Sequence, residues 1–517
     1  MRKLLPVAFS WRSRPYVAAA VFVLALGVYL GTLAPGITWR HSGSDSGELV
    51  AAALIGGVPH PPGYPTYMLL ASAFARLPFA EPALGVNLLS ALCAAGAAAL
   101  LALTLMELLP CPSGETFFAA GAQALALIVA MQMAYSPTLW SQAVIAEVYA
   151  LNALFCAGVL YLARRIWDET DVGRLRRYAW LMAFVWGLGL GNHLSVGLLA
   201  PALGLLCLWR LAPRRVGWGA WIGMVAAFVL GLAVYATLPA RAAADPPINW
   251  GNPRTVQGLW WLVSGQVYRR YLFAFPWAEL PTRLASWLTL LRQEFTLVGV
   301  GFGLAGVWTL FVEQRRMAWI ALLAYAPFVV YAIGYDTADS YVYLIPSYLV
   351  FSLWIGYGLW GAWREVARWQ AARRWMWAPT ALCLILPLLA LYLNWPAMSL
   401  RADTQAGDYG RAVLARLEPG ALLLTDGDAP TFALWYAHYG LGLRPDVAVV
   451  NLSLWRYPWY RATLRRWYAG LGDAASLPEL IAEQRGRRAI YLNNPESALT
   501  ADYAWREWGD LLRLEHE

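Results

Sequence analysis

Two carboxylates three residues apart, Asp45 and Glu48, and a histidine, His60, follow the first long apolar stretch of this chain, in Ser44-Asp-Ser-Gly-Glu-Leu-Val50 and Pro59-His-Pro-Pro-Gly-Tyr-Pro65. An acid held at a membrane–water boundary can serve as a general base, provided its geometry is fixed. The spacing also fits a capping box, with Asp45 capping a helix through Leu49–Ile55 and Glu48 reaching back to the cap nitrogen. A capping acid is rigidly placed, so the two roles are compatible. His60 stands among Pro59, Pro61, Pro62 and Pro65, which restrict the backbone and aim the ring either at a substrate or into a tight-loop hydrogen bond.

Further ionisable and polar groups interrupt apolar segments, where they are costly and usually functional. Glu147 lies in Gln142-Ala-Val-Ile-Ala-Glu-Val-Tyr149, and Asn192 and His193 follow a Gly187-x-Gly189-x-Gly191 break, where irregular backbone needs a protein or cavity partner. Arg241, just beyond a span ending at Leu238, stands at headgroup depth, where a guanidinium either grips a lipid phosphate with paired donors or simply anchors the helix. Asp336 and Asp339 share a short loop between two spans and are placed to bind sugar hydroxyls or to cap the next helix.

The elements that must position these groups are read from composition. Apolar residues make up 60% of the 517-residue chain and charged residues 14%, against about 25% charged in soluble domains. That balance indicates a polytopic α-helical membrane protein. The net charge of +8 is held by short Arg clusters between apolar runs, a positive-inside pattern rather than a nucleic-acid groove. The first apolar stretch, Val17–Leu33, follows Arg2, Lys3, Arg12 and Arg14 and reads as a retained helix with a cytoplasmic N-terminus. Further spans are expected near 84–106, 117–134, 142–163, 217–238, 294–312, 317–334, 341–361 and 376–394. The run 178–210 has basic clusters at both ends, so it is expected to cross in and out as two short helices divided at 191–193. With Arg315, Arg316, Arg364, Arg368, Arg373 and Arg374 also cytoplasmic, about eleven crossings result.

Residues 1–395 then form a transmembrane domain with non-cytoplasmic loops at 34–80 and 239–292, and 396–517 form an extracytoplasmic domain. Cys93, Cys111, Cys156, Cys207 and Cys383 all fall within spans or on the cytoplasmic side, so the tail has no disulfide framework. The tail reads as α/β: strands at Ala421–Thr425, Val447–Leu452 and Ala489–Leu492, and a helix at Pro430–Tyr439, favouring a parallel sheet. Asp426 and Asp428 fall at a strand's carboxyl end, where such sheets bind ligands and where turns also place Asp.

The Asp-Ser-Gly-Glu and His-Pro-Pro-Gly-Tyr-Pro pair resembles the hallmark of a family similar to protein O-mannosyltransferases, glycosyltransferase family 117 of the GT-C superfold. Ala146-Glu147-Val148-Tyr149, Gly191-Asn192-His193, Leu238-Pro-Ala-Arg241 with Ile248-Asn-Trp-Gly-Asn-Pro253, and stretches around Asp428, Arg444–Val447 and Asn451–Leu454 are similar to the same family. The resemblance implies a sugar, mannose or another hexose, taken from a polyprenyl-phosphate donor on the non-cytoplasmic face. The acceptor it implies is a hydroxyl of an exported protein or glycan. The catalytic acid of such enzymes lies in the first external loop, the position of Asp45, with Glu48 beside it. Arg241, His193 and Asn192 are then expected at the donor phosphate. His60, Tyr64, Glu147, Tyr149, Asn249, Trp250 and Asp339 are expected at the sugar or acceptor. Single attack from the opposite face inverts the anomeric centre. The chain departs from the family at Asp428-Ala-Pro-Thr-Phe432, where a longer acidic or Asn-rich string is usual, which weakens a role for Asp428. No Cys/His cluster has metal-ligand spacing, so no metal or cofactor is expected. Nucleic acid is not an expected partner; the lipid bilayer of a cell (inner) membrane is. Two readings compete: a transporter or flippase of lipid-linked sugars, built on the broken helix, and a glycan-binding receptor or scaffold. Against the first, the charged motifs collect on one face of the membrane and no inverted repeat is visible.

Overall fold

A computed structural model of the chain describes residues 14–109, 116–369 and 377–515. Arg2, Lys3, Arg12, Cys111, Arg373 and Arg374 lie outside the described residues. Among the described residues, eight helices are long and apolar enough to cross a membrane. They include α1 (Arg14–Thr32), separated by two short helices, α2 (Ser46–Ile55) and α3 (Pro65–Phe74), from α4 (Pro82–Leu108) and α5 (Thr116–Ala134). Next come a short α6 (Pro137–Ala143), then α7 (Tyr149–Asp168) and α8 (Val172–Leu190), whose terminal arginines lower their hydropathy. A turn at 191–193 leads to α9 (Ala200–Arg210), followed by α10 (Trp218–Leu232). The bundle closes with α11 (Leu280–Glu313), α12 (Arg315–Gly334), α13 (Ile345–Ala367) and α14 (Trp377–Met398). With α7, α8 and the shorter apolar stretch Leu194–Arg210 standing beside these eight, this is the polytopic helical architecture expected.

Ion pairs and caps sort the helix ends. Arg14 at the head of α1 reaches Glu107 at the foot of α4 (2.8 Å), and Arg165 reaches the same carboxylate (3.4 Å). Arg210 donates to the Glu169 carbonyl (2.8 Å) and Arg176 to that of Val216 (2.8 Å). The two ends of 172–210 therefore return to one end of the bundle, and 191–193 is the apex of a hairpin. Arg364 and Glu313 (2.6 Å) pair at the feet of α13 and α11. At the opposite end the Leu400 amide donates to the Thr32 carbonyl (2.9 Å), which sets the exit of α14 beside that of α1.

Beyond α14 the chain forms α15 (Gln405–Arg416) and a five-stranded sheet of order β2-β1-β3-β5-β4. β1 (Leu422–Thr425) runs parallel to β2 (Ala448–Asn451) and β3 (Ile490–Leu492). These strands are apolar on both faces and fully buried, as parallel strands covered on two sides must be. The antiparallel pair β4 (Trp505–Trp508) and β5 (Leu511–Leu514), joined at Gly509 and Asp510, extends the sheet through β3. Between β1 and β2 lies α16 (Asp428–Trp435), which packs on α15 on one side and on α2 on the other. That second contact fastens the α/β domain to the membrane-proximal segment carrying Asp45 and Glu48. Three polar links reinforce it: Arg411 with Glu81 (2.7 Å), the Trp39 indole with the Ala429 carbonyl (3.0 Å), and Arg466 with Asp245.

Candidate active site

Asp45 is placed by a short helical turn (Arg40–Asp45) that runs straight into α2. Ser46 pins this turn, its hydroxyl donating to the carbonyls of Gly43 (2.7 Å) and Thr38 (3.1 Å). The expected capping box is absent. Asp45 has helical φ/ψ (−79°, −13°) and its side chain makes no cap bond, whereas a side-chain cap belongs to an extended residue. The Asp45 carboxylate is left without a cap bond and half-buried at the cavity. Glu48, fully buried, turns instead to His60 Nδ1.

His60 Nε2 then lies 2.9 Å from the Tyr64 hydroxyl and 3.6 Å from an Asp45 oxygen. Tyr64 itself has φ 43°, a left-handed conformation that costs an aromatic residue about 1–3 kcal/mol and that clusters at functional sites. Burial works against a charge on His60, but Glu48, Asp45 and Glu147 outweigh it and push its pKa up to about 10. Burial raises the Asp45 carboxyl to about 6; His60 opposes that rise, while Glu48 and Asp339 add to it.

Asp45, His60, Tyr64, Tyr149, His193, Trp250 and Asp339 share one cavity of about 640 Å³. It opens at the bundle end opposite the Arg14–Glu107 pair. Loop 239–292 reaches it through a strand-like bridge between Val58 and Asn249, which seats Trp250 beside His60, ring centroids 6.2 Å apart. The apex of the α8–α9 hairpin supplies His193. Its Nδ1 accepts from the Ser195 amide (3.2 Å), so the ring proton sits on Nε2, available to the cavity. Asp339 makes no cap bond and faces the cavity, whereas Asp336 is paired with Arg283.

Five expected site residues lie off the cavity wall. Arg241 directs its terminal nitrogens to the carbonyls of Gly57 (3.3 Å) and Met68 (3.1 Å) and to the Ser72 hydroxyl (3.0 Å). It laces α2 to α3 instead of facing a phosphate. Asn192 donates to the Val148 carbonyl (3.1 Å) and holds the hairpin apex against the start of α7. Asn249 is buried at the bridge, and Glu147 is buried behind the wall with one carboxylate oxygen lacking a partner. Glu48 is likewise behind the wall, touching the cavity only through His60.

The cavity also contains groups that sequence reasoning passed over. Arg269 and Tyr268 come from a turn at Gln266–Tyr271, and the Arg269 guanidinium has no hydrogen-bond or ion-pair partner among the described residues. Its signal was present: Arg269-Arg270 is a basic pair on the side where the positive-inside rule predicts few. Tyr331, Tyr335 and Tyr343 form an aromatic wall around Asp339. From the α/β domain come Asp428 and Phe432, whose ring lies parallel to His60 with centroids 6.5 Å apart.

This bundle, with a cavity at one end and an α/β domain packed beside it, is a GT-C fold. ArnT from Cupriavidus metallidurans in the apo state superposes with a TM-score of 0.61 at 14% identity, over 96% of this chain and 97% of that one. The same protein bound to undecaprenyl phosphate gives 0.56 at 13% identity, over 98% of both chains. The Archaeoglobus fulgidus oligosaccharyltransferase gives 0.51 at 13% identity, over 89% of this chain and 70% of that one. In sequence, residues 45–216 match the family described as the protein O-mannosyl-transferase TMEM260 N-terminal domain, a match that begins at Asp45, and residues 406–489 match TMEM260-associated domain 2. The protein O-mannosyl-transferase TMEM260 of Mus musculus is 28% identical over 90% of this chain and 66% of its own length. The Dictyostelium discoideum protein is 23% identical over 86% of this chain and 58% of its own. The chain thus spans about two thirds or less of these relatives. It is a multi-pass membrane protein of GT-C fold that resembles the protein O-mannosyltransferases, as its motifs led one to expect.

Proposed function

We propose that this protein transfers a sugar, mannose or another hexose, from a polyprenyl-phosphate donor to a hydroxyl of an exported protein or glycan, at the non-cytoplasmic face of the cell membrane. Asp45 takes the proton of the acceptor hydroxyl as its oxygen attacks the anomeric carbon. The bond from that carbon to the phosphate oxygen breaks on the opposite side, and the configuration inverts. The departing lipid phosphate carries its charge without a general acid. Arg269 and the Nε2 proton of His193 stabilise that charge, in a setting where fixed donors act more strongly than in water. This assigns to Arg269 the task that the sequence suggested for Arg241. Trp250, Tyr64, Tyr149 and Asp339 hold the sugar and acceptor, by stacking and by hydrogen bonds to hydroxyls. No step requires a metal.

The carrying observation is the Asp45 carboxylate, free of any cap bond, in the same cavity as an unpaired guanidinium and a neutral imidazole donor. The names of the relatives support the sugar and the acceptor class, and the undecaprenyl phosphate bound to a neighbour of the same fold supports the donor class. The test is transfer of radiolabelled sugar from a polyprenyl phosphate in membranes containing native protein or Asp45→Asn. The variant keeps the side-chain shape and removes the base, and its transfer is expected to fall by about 10²–10⁴. Undiminished transfer would overturn the assignment.

A further inference from the structure

Resting on that reading of Asp45, we propose that Glu48 and His60 are a positioning pair: the buried Glu48 carboxylate fixes the His60 ring, whose far nitrogen aims the Asp45 carboxylate at the acceptor as its local counter-charge. Three observations carry it. First, the geometry is directional. Nδ1 faces a carboxylate, which accepts hydrogen bonds, so Nδ1 bears a proton; Nε2 then faces Tyr64 (2.9 Å) and Asp45 (3.6 Å) together. The Tyr64 hydroxyl donates to the Pro61 carbonyl (3.5 Å), which leaves its oxygen to accept from a protonated Nε2.

Second, fold stability does not account for the pair. Glu48 has no exposure, and its second carboxylate oxygen is buried without a partner. A buried ion pair with an unsatisfied oxygen generally stabilises no more than an apolar replacement would.

Third, apart from the Arg269 guanidinium, which shares the cavity but makes no ion pair with Asp45, the other charged groups acting on Asp45 are acidic. Glu48 on α2, Glu147 before α7, Asp339 before α13 and Asp428 on α16 all act to keep its carboxyl protonated. His60 is the only ion-pair partner of Asp45 among the described residues. Tyr268 and Tyr64, the other titratable groups beside it, are neutral phenols.

The test reads the Asp45 protonation state directly, independent of turnover. Full-length protein in lipid nanodiscs is titrated by pH-difference infrared spectroscopy, with the Asp45 carboxyl band assigned by its loss in Asp45→Asn. The native midpoint is expected at about 6. In His60→Gln it moves up by about 1–3 pH units, as removal of an opposite charge at this distance does. His60→Asn, which also removes the charge, moves it in the same direction and carries the test alone if His60→Gln fails to fold by thermal unfolding. The acid limb of the kcat/KM profile shifts in step, with little change in KM for the donor. A midpoint unchanged in the folded variants overturns the proposal. Should the midpoint shift as expected while Asp45→Asn still transfers sugar, the pair stands and the assignment of Asp45 as the base fails.

Discussion

Gly47, inside the Asp-Ser-Gly-Glu motif, is the point at which the α/β domain touches the candidate active site. A Cβ built there would lie 2.4 Å from the Phe432 carbonyl oxygen, 2.6 Å from its carbon and 3.0 Å from the Ala433 nitrogen. All three obstacles are helix backbone, which cannot swing aside like a flexible side chain. To restore even a close C–H···O approach of roughly 3.3–3.6 Å, α2 and α16 must part by about 1 Å. We expect Gly47→Ala to destabilise the protein by about 1–3 kcal/mol, the usual cost of overpacking. The direction is diagnostic, because in an uncrowded helix the same change stabilises by about 1 kcal/mol. Asp45 lies two residues before Gly47, and Phe432 lies against His60, so the displacement is delivered to the proposed base and its partner. A misplacement of about 1 Å can cost on the order of 10²-fold in rate. Thermal unfolding of the purified protein and kcat for sugar transfer are the two readouts. A Gly47→Ala protein with raised melting temperature and native kcat would show that α16 does not hold this geometry, and would refute the argument.

The site and its surroundings make four further predictions. Arg269→Ala should lower kcat/KM by about 10²–10³ with little change in melting temperature, as loss of a charge-stabilising donor does. Arg241→Ala should instead lower stability by about 1.5–3 kcal/mol through its lost charged hydrogen bonds, and the reverse pattern in paired transfer and unfolding assays would return the phosphate to Arg241. Because burial raises Asp45, the base form is lost as pH falls through about 6, so kcat/KM should decline tenfold per pH unit below that value; a flat profile down to pH 5 counts against an Asp45 base. Extensive dialysis against a chelator should leave the transfer rate unchanged, and restoration of a lost rate by a divalent cation would contradict the metal-free step.

Several features were open to reading from the residues because they depend on short-range physics. The hairpin at 191–193 follows from charge clusters at both ends of one long apolar run, and the buried parallel strands follow from apolar runs such as Leu422–Leu424 and Val449–Val450. The β4–β5 pair was missed because its strands are four residues each and mix Arg and Glu with Trp and Leu, which blurs the alternation. Asp45 and His60 could be singled out because a proline-walled loop beside a span leaves few bland uses for them.

The chain alone determines that this is a polytopic helical protein, which loops lie at the end opposite its basic clusters, and which residue types can do chemistry there. Periodicity and charge act over a few residues and survive without knowledge of the fold. Only the tertiary structure decides which donors converge. It turns Glu48 from the helix cap to His60, draws Arg241 into backbone carbonyls, leaves Arg269 without a partner, and brings Asp428 and Phe432 from nearly four hundred residues away. Hydrogen-bond partners are chosen by distance in space, and no spacing along the chain encodes which carbonyl a guanidinium will meet.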